Sequence, residues 1–298
     1  MTSDSSQPLE DTQNPTFSHT PVLPKEVIEG LQIQAGGHYL DATVGGGGHS
    51  RLILEAASDV LVTALDQDEE ALAAARQELA EFGNRVKFIH SNFATYNYPA
   101  NTFAGIVADL GVSSYHLDTP ERGFSFRNEG NLDMRMNRQQ TLTAADVINN
   151  WTEADLVDIF FRYGEERLSR RITRRILEKR PYQTTKQLAD VIAGSVPPKY
   201  RYGRIHPATR IFQALRIAVN DELGVLEQFL AKAPLALVPG GRLVVISFHS
   251  LEDRIVKHSL RESSIVNVVT KKPIIAQEEE IIENARSRSA KLRIAQKN

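Results

Sequence analysis

Three acids stand where a short apolar run gives way to polar residues: Asp41 after Tyr39-Leu40, Asp66 after Val62-Thr63-Ala64-Leu65, and Asp109 after Val107-Ala108. The first leads through Ala42-Thr43-Val44 into four glycines, Gly45 to Gly48, and then His49 and Ser50. Glycine takes positive φ at no steric cost, so such a run lets the main chain close on a ligand. A tight strand–helix turn would use the same residues. An acid beside the loop suits a cationic ligand. Asp66 lies at the separation from the glycines at which a carboxylate accepts ribose hydroxyls. Enzymes of nicotinamide dinucleotides share that pair. Two features argue against them here: Gly45 and Gly47 lead to Ser50 instead of a third glycine, and Asp41 would face a pyrophosphate. A sulfonium carries no phosphate and is drawn to that carboxylate, so S-adenosyl-L-methionine fits better. Asp109 closes a further apolar run, where open sheets tend to place catalytic groups. The lone pair of a base's exocyclic amine is delocalised into the ring. A carboxylate accepting its N–H localises that pair and takes the proton, and alignment supplies much of the remaining rate. Asp109 would serve equally to cap its turn or to bind cofactor. Phe93, in Ser91-Asn92-Phe93, would border an adenine ring or fill the core.

These residues need a scaffold that brings strand ends together. The pattern predicts strands at 38–43, 60–66, 86–90 and 105–110, with helices at 50–57 and 68–82 between them. Such alternation implies a doubly wound α/β fold, with a parallel sheet and helices on both faces. Beyond Asp109 the pattern changes. Residues 113–136 are loop-like, and from Thr143 to about Gly194 the periodicity is helical. Thr143 with Asp146 resembles a capping box. The run 207–231 reads as one long helix. A strand at 243–247, a helix at 251–260, a β-rich stretch at 265–270 and a last strand at 291–295 complete the chain. One α/β domain (17–129 and 206–298) is therefore interrupted by a helical insertion at 130–205. Residues 1–16 read as a disordered tail.

The formal net charge of −2 conceals a division. Between Phe161 and Ile217 basic residues exceed acidic ones by ten, and the rest of the chain carries −12. Most of that positive charge is arginine, which favours phosphate recognition over simple solvation. There is no cysteine, which excludes disulfides, thiolate metal sites and a cysteine nucleophile. The eight histidines are scattered without ligand spacing, so no metal is expected. Apolar runs are strand-length, so no membrane span is expected, and the polar start lacks the pattern of a secretory signal. A cytoplasmic location fits. His249 opens a helix, where it caps, relays a proton or contacts RNA. The basic stretch 284–293 would contact phosphates or form a solvated edge strand.

Eight segments occur in an order that resembles one family: Phe17–Leu23, Gly45–Arg51, Asp109–Ser114, Glu121–Phe126, Leu132–Met136, Tyr163–Glu166, His206–Arg210 and Ser247–Arg254. It is the MraW family of ribosomal RNA small-subunit methyltransferases, and the resemblance runs from Phe17 to Ala295. It implies a class I S-adenosyl-L-methionine-dependent methyltransferase domain with an inserted all-helical domain. It implies methylation of a cytidine N4 amine in the decoding region of 16S ribosomal RNA, with that RNA or the small ribosomal subunit as partner. A non-catalytic assembly factor that binds the cofactor is the alternative. The resemblance places cofactor contacts at Gly47, Gly48, His49, Asp66, Phe93 and Asp109, and at His116, where the family typically carries Gln. Asp41 joins them from the residue reading, and Asp109 is the expected catalytic group. The arginines expected on RNA are Arg170, Arg171, Arg174, Arg175, Arg201, Arg204 and Arg210. The Asp/Asn/Ser-Pro-Pro-aromatic motif of some amino-methylating enzymes on DNA is replaced by Asp109-Leu110-Gly111-Val112, so a base-stacking aromatic must come from elsewhere. Tyr115, Phe124, Phe126 and Phe248 are the choices. Oligomeric state stays open, a homodimer included.

Overall fold

The computed structural model describes residues 21–298; the tail expected at 1–16 lies outside them, as does the start of the Phe17–Leu23 segment. Seven strands form one sheet: β1 (His38–Asp41), β2 (Leu61–Asp66), β3 (Val86–His90), β4 (Phe103–Asp109), β5 (Leu237–Ser247), β6 (Val266–Val268) and β7 (Lys291–Lys297). Their spatial order is β3-β2-β1-β4-β5-β7-β6. β1 to β5 are parallel, and β7 runs antiparallel between β5 and β6. The order reverses between β1 and β4, so the ends of these strands open on the crevice where such sheets bind ligands.

Successive strand side chains point to opposite faces, and the strands sort accordingly. Tyr39, Val107, Val244 and Ile246 enter one core with α1 (Pro24–Leu31), α2 (Gly48–Ala56) and α3 (Glu69–Glu78). Leu40, Ile106, Ala108, Leu243 and Val245 enter the other. β7 is interior, with Leu292 fully buried, so the stretch after Lys291 is not the solvated edge strand allowed above; β6 forms that edge.

Between β4 and β5 the chain is helical: α4 (Ser114–Asp118), α5 (Ala144–Asn150), α6 (Glu153–Arg162), α7 (Ser169–Glu178), α8 (Thr185–Ser195), α9 (Pro198–Arg201), α10 (Ala208–Asn220) and α11 (Glu222–Ala236). Thr143 and Asp146 form the expected capping box at α5. A third core, separate from the two on the sheet, runs from Phe124 to Val219 and includes Ile211, Phe212 and Leu215 of α10. The helical packing therefore extends past both ends of 130–205. The single long helix expected at 207–231 is two helices. Asp221 takes a left-handed conformation (φ 48°) and breaks it. Asn220 holds the break: its Oδ1 accepts from Met136 N (2.8 Å), and its Nδ2 donates to the Met134 (2.8 Å) and Arg216 (2.9 Å) carbonyls. α12 (Ser250–Glu262) follows β5, and α13 (Glu278–Glu283) precedes a short 3-10 turn (Ala285–Ser289) that feeds β7.

Candidate functional site

A cavity opens at the carboxyl ends of β1, β2 and β4, and its wall contains Gly45, Gly46, Gly48, His49, Asp66, Phe93, Asp109 and His116. The structure thus gathers most of the residues that the sequence singled out. The glycine loop turns tightly, with positive φ at Gly45 (50°) and Gly47 (93°). At Gly47 a side chain would be strained and would press on Leu79 at 3.2 Å. Neither Gly47 nor Asp41 lines the cavity. Asp41 was expected against the ligand. Its carboxylate instead lies beneath the loop, accepting from Ser50 Oγ at 2.8 Å and from Thr43 N at 3.2 Å. Its oxygens are turned toward the chain that they brace, so its charge reaches the cavity only at a distance.

Asp66 accepts from the backbone N–H of Gly45 and of Asp68, both at 2.9 Å, one on each oxygen. Each oxygen retains a lone pair for a hydroxyl. Burial pushes its carboxyl above the usual range. Phe93 packs edge-on against Phe229 (centroids 5.1 Å apart) and also contributes to the cavity wall. Asn92 is committed to the protein, with Nδ2 donating to Gln67 Oε1 and Oδ1 accepting from Ala94 N. Both ring nitrogens of His116 are also committed. Nδ1 accepts from Ser113 N (3.1 Å), which places the proton on Nε2, 2.7 Å from Asp68 Oδ2. His116 therefore offers a ligand its ring surface alone. Asp68 also pairs with the buried Arg122 (2.8 Å), which ties the Glu121–Phe126 segment to the start of α3.

Asp109 is the least satisfied group in the cavity. Its Oδ1 is buried and has no hydrogen-bond partner among the described residues. Its Oδ2 lies 3.9 Å from His49 Nδ1, whose ring is oriented by an Nε2 bond to the Val22 carbonyl (2.9 Å). Burial pushes the Asp109 carboxyl up to about 6; His49 and Arg286 oppose this, and Asp41 and Glu252 reinforce it.

The far side of the cavity holds residues the sequence reading did not assign: Asn220 and Glu222 from the α10–α11 break, Glu252 from the first turn of α12, and Arg286. The signals for Glu252 were its place in the Ser247–Arg254 segment and its position three residues after His249, the spacing of a capping box. That box forms: Glu252 Oε2 accepts from Phe248 N (2.8 Å) and His249 N (3.3 Å), and His249 Nδ1 accepts from Glu252 N (3.4 Å). His249 is thus a helix cap. Arg286 belongs to a stretch read as surface, yet it turns inward and donates through Nη2 to the Val112 carbonyl. Donor atoms of Glu222, His249 and Glu252 all lie within 4.8 Å of one another. Glu222 is already held by Arg216 through two bonds of 2.7 Å, so the grouping is an ion-pair network. Hydrogen bonds from His249 hold the Glu252 carboxyl below its usual range, against its burial.

Of the other aromatics considered for stacking, Phe124 is buried beside His116, and Phe126 packs between His206 and Phe212. Phe248 packs partly buried against the sheet core. Among the arginines, Arg170, Arg171, Arg174 and Arg175 lie exposed along α7, opposite its buried Ile172 and Ile176. Arg204 is exposed, whereas Arg201 and Arg210 are half-buried. Arg210 donates to the Glu165 carbonyl and to Tyr200 Oη, both at 3.3 Å. No helix among the described residues is long and apolar enough to cross a membrane.

The arrangement fits S-adenosylmethionine: a glycine loop without side chains, a carboxylate with free lone pairs at the second strand, and an orphaned buried carboxylate beyond the loop. Comparison with known proteins agrees. The model of the MraW methylase family matches residues 16–298. A ribosomal RNA small subunit methyltransferase H of Nostoc punctiforme is 72% identical over 297 residues, covering 100% of this chain and 99% of the relative. The protein of the same name from Rippkaea orientalis is 61% identical over 292 residues, covering 98% and 96%. A solved structure titled PH0851 is 10% identical with a TM-score of 0.51, covering 97% of this chain and 50% of that one; the likeness is one of fold.

Proposed function

Since the chain belongs to the MraW methylase family, we propose that it transfers a methyl group from S-adenosylmethionine to the N4 amine of a cytidine in the decoding region of 16S ribosomal RNA. The observation that carries this reading is the Asp109 carboxylate, whose Oδ1 is buried without a hydrogen-bond partner among the described residues, in a cavity lined also by the glycine loop and by Glu222 and Glu252. An ionised carboxylate accepts an amine N–H more strongly than a neutral oxygen does and can also take its proton.

Gly45, Gly46 and Gly48 leave room for the cofactor's amino-acid portion, Asp66 accepts its ribose hydroxyls, and Phe93 borders its adenine. When bound, S-adenosylmethionine supplies an electrophilic methyl group on a positively charged sulfur. Asp109 accepts one N–H of the amine, localises its lone pair and removes its proton, a contribution of about 10²–10⁴ in rate. His49 Nδ1, 3.9 Å away, steadies the charge on Asp109. The target base must leave its stack to reach the cavity, and the exposed arginines of α7, with Arg204, hold the backbone around it.

The test is to incubate the protein with methyl-labelled S-adenosylmethionine and small ribosomal subunits, or naked RNA, from a strain lacking the gene. Label in RNA supports the reading, and the better acceptor shows when in assembly the enzyme acts. Cofactor binding with no label in either acceptor would instead indicate an assembly factor without transferase activity.

A further inference from the structure

We propose that Glu252 is the second carboxylate of the acceptor site, accepting one N–H of the target amine while Asp109 accepts the other. The inference rests on the functional reading above and deepens it.

Glu252 is 2% exposed, yet it belongs to the wall of the cavity that Asp109 also lines. Its Oε2 is occupied by the backbone N–H groups of Phe248 and His249. Its Oε1 faces His249 Nε2 at 3.2 Å, the ring nitrogen that carries the proton because Nδ1 accepts from Glu252 N. A carboxylate oxygen has two lone pairs, so Oε1 keeps one for a donor in the cavity. A capping glutamate ordinarily sits at the surface, where its charge stays solvated; burying an ion costs several kcal/mol unless it is compensated. Here the cap, His249 and the nearby Arg216 keep the carboxylate ionised inside the protein.

Two carboxylates solve a geometric problem. The N–H bonds of an aromatic amine lie in the plane of the base, and the lone pair stands perpendicular to it. One acceptor leaves the ring free to swing, whereas two fix its plane and aim the lone pair at the methyl. The nitrogen gains the methyl with its own electron pair, the S–C pair stays on sulfur, and the lost proton goes to Asp109. Glu252 keeps its N–H throughout. The product has one N–H left, so a second methylation would lack an anchor and bury a carboxylate against a methyl group.

The test is Glu252→Gln, which keeps the length and a carbonyl oxygen for the cap. S-adenosylhomocysteine binding, read by calorimetry, should stay within about threefold of wild type, while kcat on subunits falls about 10- to 100-fold. The charged groups facing Asp109 are His49, Arg286, Asp41 and Glu252. Removing the charge of Glu252 should move the acidic limb of the rate profile below its wild-type position. An unchanged kcat, or a loss with the limb unmoved, overturns the assignment. If the variant does not fold, wild type loaded with S-adenosylhomocysteine is titrated with unmethylated and with N4-methylated subunits. Preference for the unmethylated form supports two anchors, and equal binding overturns them. A wild-type protein that makes no N4-methylcytidine would defeat the functional reading itself, before Glu252 is at issue.

Discussion

Asp109 is ionised only above about pH 6, because burial at the end of β4 outweighs the attraction of His49 and Arg286. A base must be deprotonated to act, so log kcat should rise with unit slope toward about pH 6 and then level. Asp109→Asn should remove that limb and lower kcat by about 10²–10⁴; a variant within threefold of wild type would exclude Asp109 as the base. The same residue couples to stability. Its folded pKa lies above the unfolded value, so its stabilising contribution is full below the unfolded pKa and is lost as pH rises through about 6. Ionised Asp109 then costs roughly 3 kcal/mol. Thermal melts of Asp109→Asn should therefore exceed wild type at about pH 8 and match it at about pH 4. Asp66, Asp109 and the glycines were legible in the sequence because each closes or follows a strand, and strand ends meet at one edge of a parallel sheet. Glu252 and Arg286 were not, because their approach to Asp109 depends on how α12 and the turn before β7 return to the sheet. Asp41 misled for the reverse reason: the strand end was read correctly, but the direction of its side chain depends on Ser50 and Thr43.

At the scale of elements, the sandwich of sheet and helices followed from periodicity, as did the capping box at α5. The break between α10 and α11 did not. The residue that makes it, Asp221, is neither Gly nor Pro, Gly224 comes only in the turn that follows, and the apolar stripe continues through from Leu215 to Leu226. What holds it is tertiary: Asn220 satisfies backbone groups of the Met134–Met136 segment, which are distant in sequence. The break gives the cavity two polar residues, Asn220 and Glu222, that an unbroken helix would place elsewhere. Asn220→Ala strands a buried N–H and a carbonyl, and should destabilise the protein by about 2–4 kcal/mol in urea unfolding. It should also weaken S-adenosylhomocysteine binding as this wall of the cavity relaxes. A loss below about 0.5 kcal/mol would show that the break is held by other contacts.

Taken whole, the molecule divides its charge between an acidic body and a basic helical stretch, and the sequence showed this directly because charge needs no geometry to be counted. Which arginines remain available did need geometry. Arg210 is engaged with Glu165 and Tyr200, whereas Arg170 and Arg174 are exposed on α7, Arg174 with an exposed ion pair to Glu153 at 3.6 Å. Replacing Arg170 and Arg174 with Gln should weaken subunit binding without changing cofactor affinity. The slope of log K against log salt should fall by about 0.7–0.9 for each phosphate that is no longer neutralised; an unchanged slope would move the RNA to another face. The central claim is that this cavity methylates an exocyclic amine and that Asp109 takes its proton. The measurement that tests it most directly is nucleoside analysis of small subunits from a strain lacking the gene, after incubation with labelled S-adenosylmethionine and either wild type or Asp109→Asn. The expected result is label in N4-methylcytidine with wild type and a loss of at least about 10²-fold with the variant. Label in a different nucleoside, or equal label with both proteins, would contradict it.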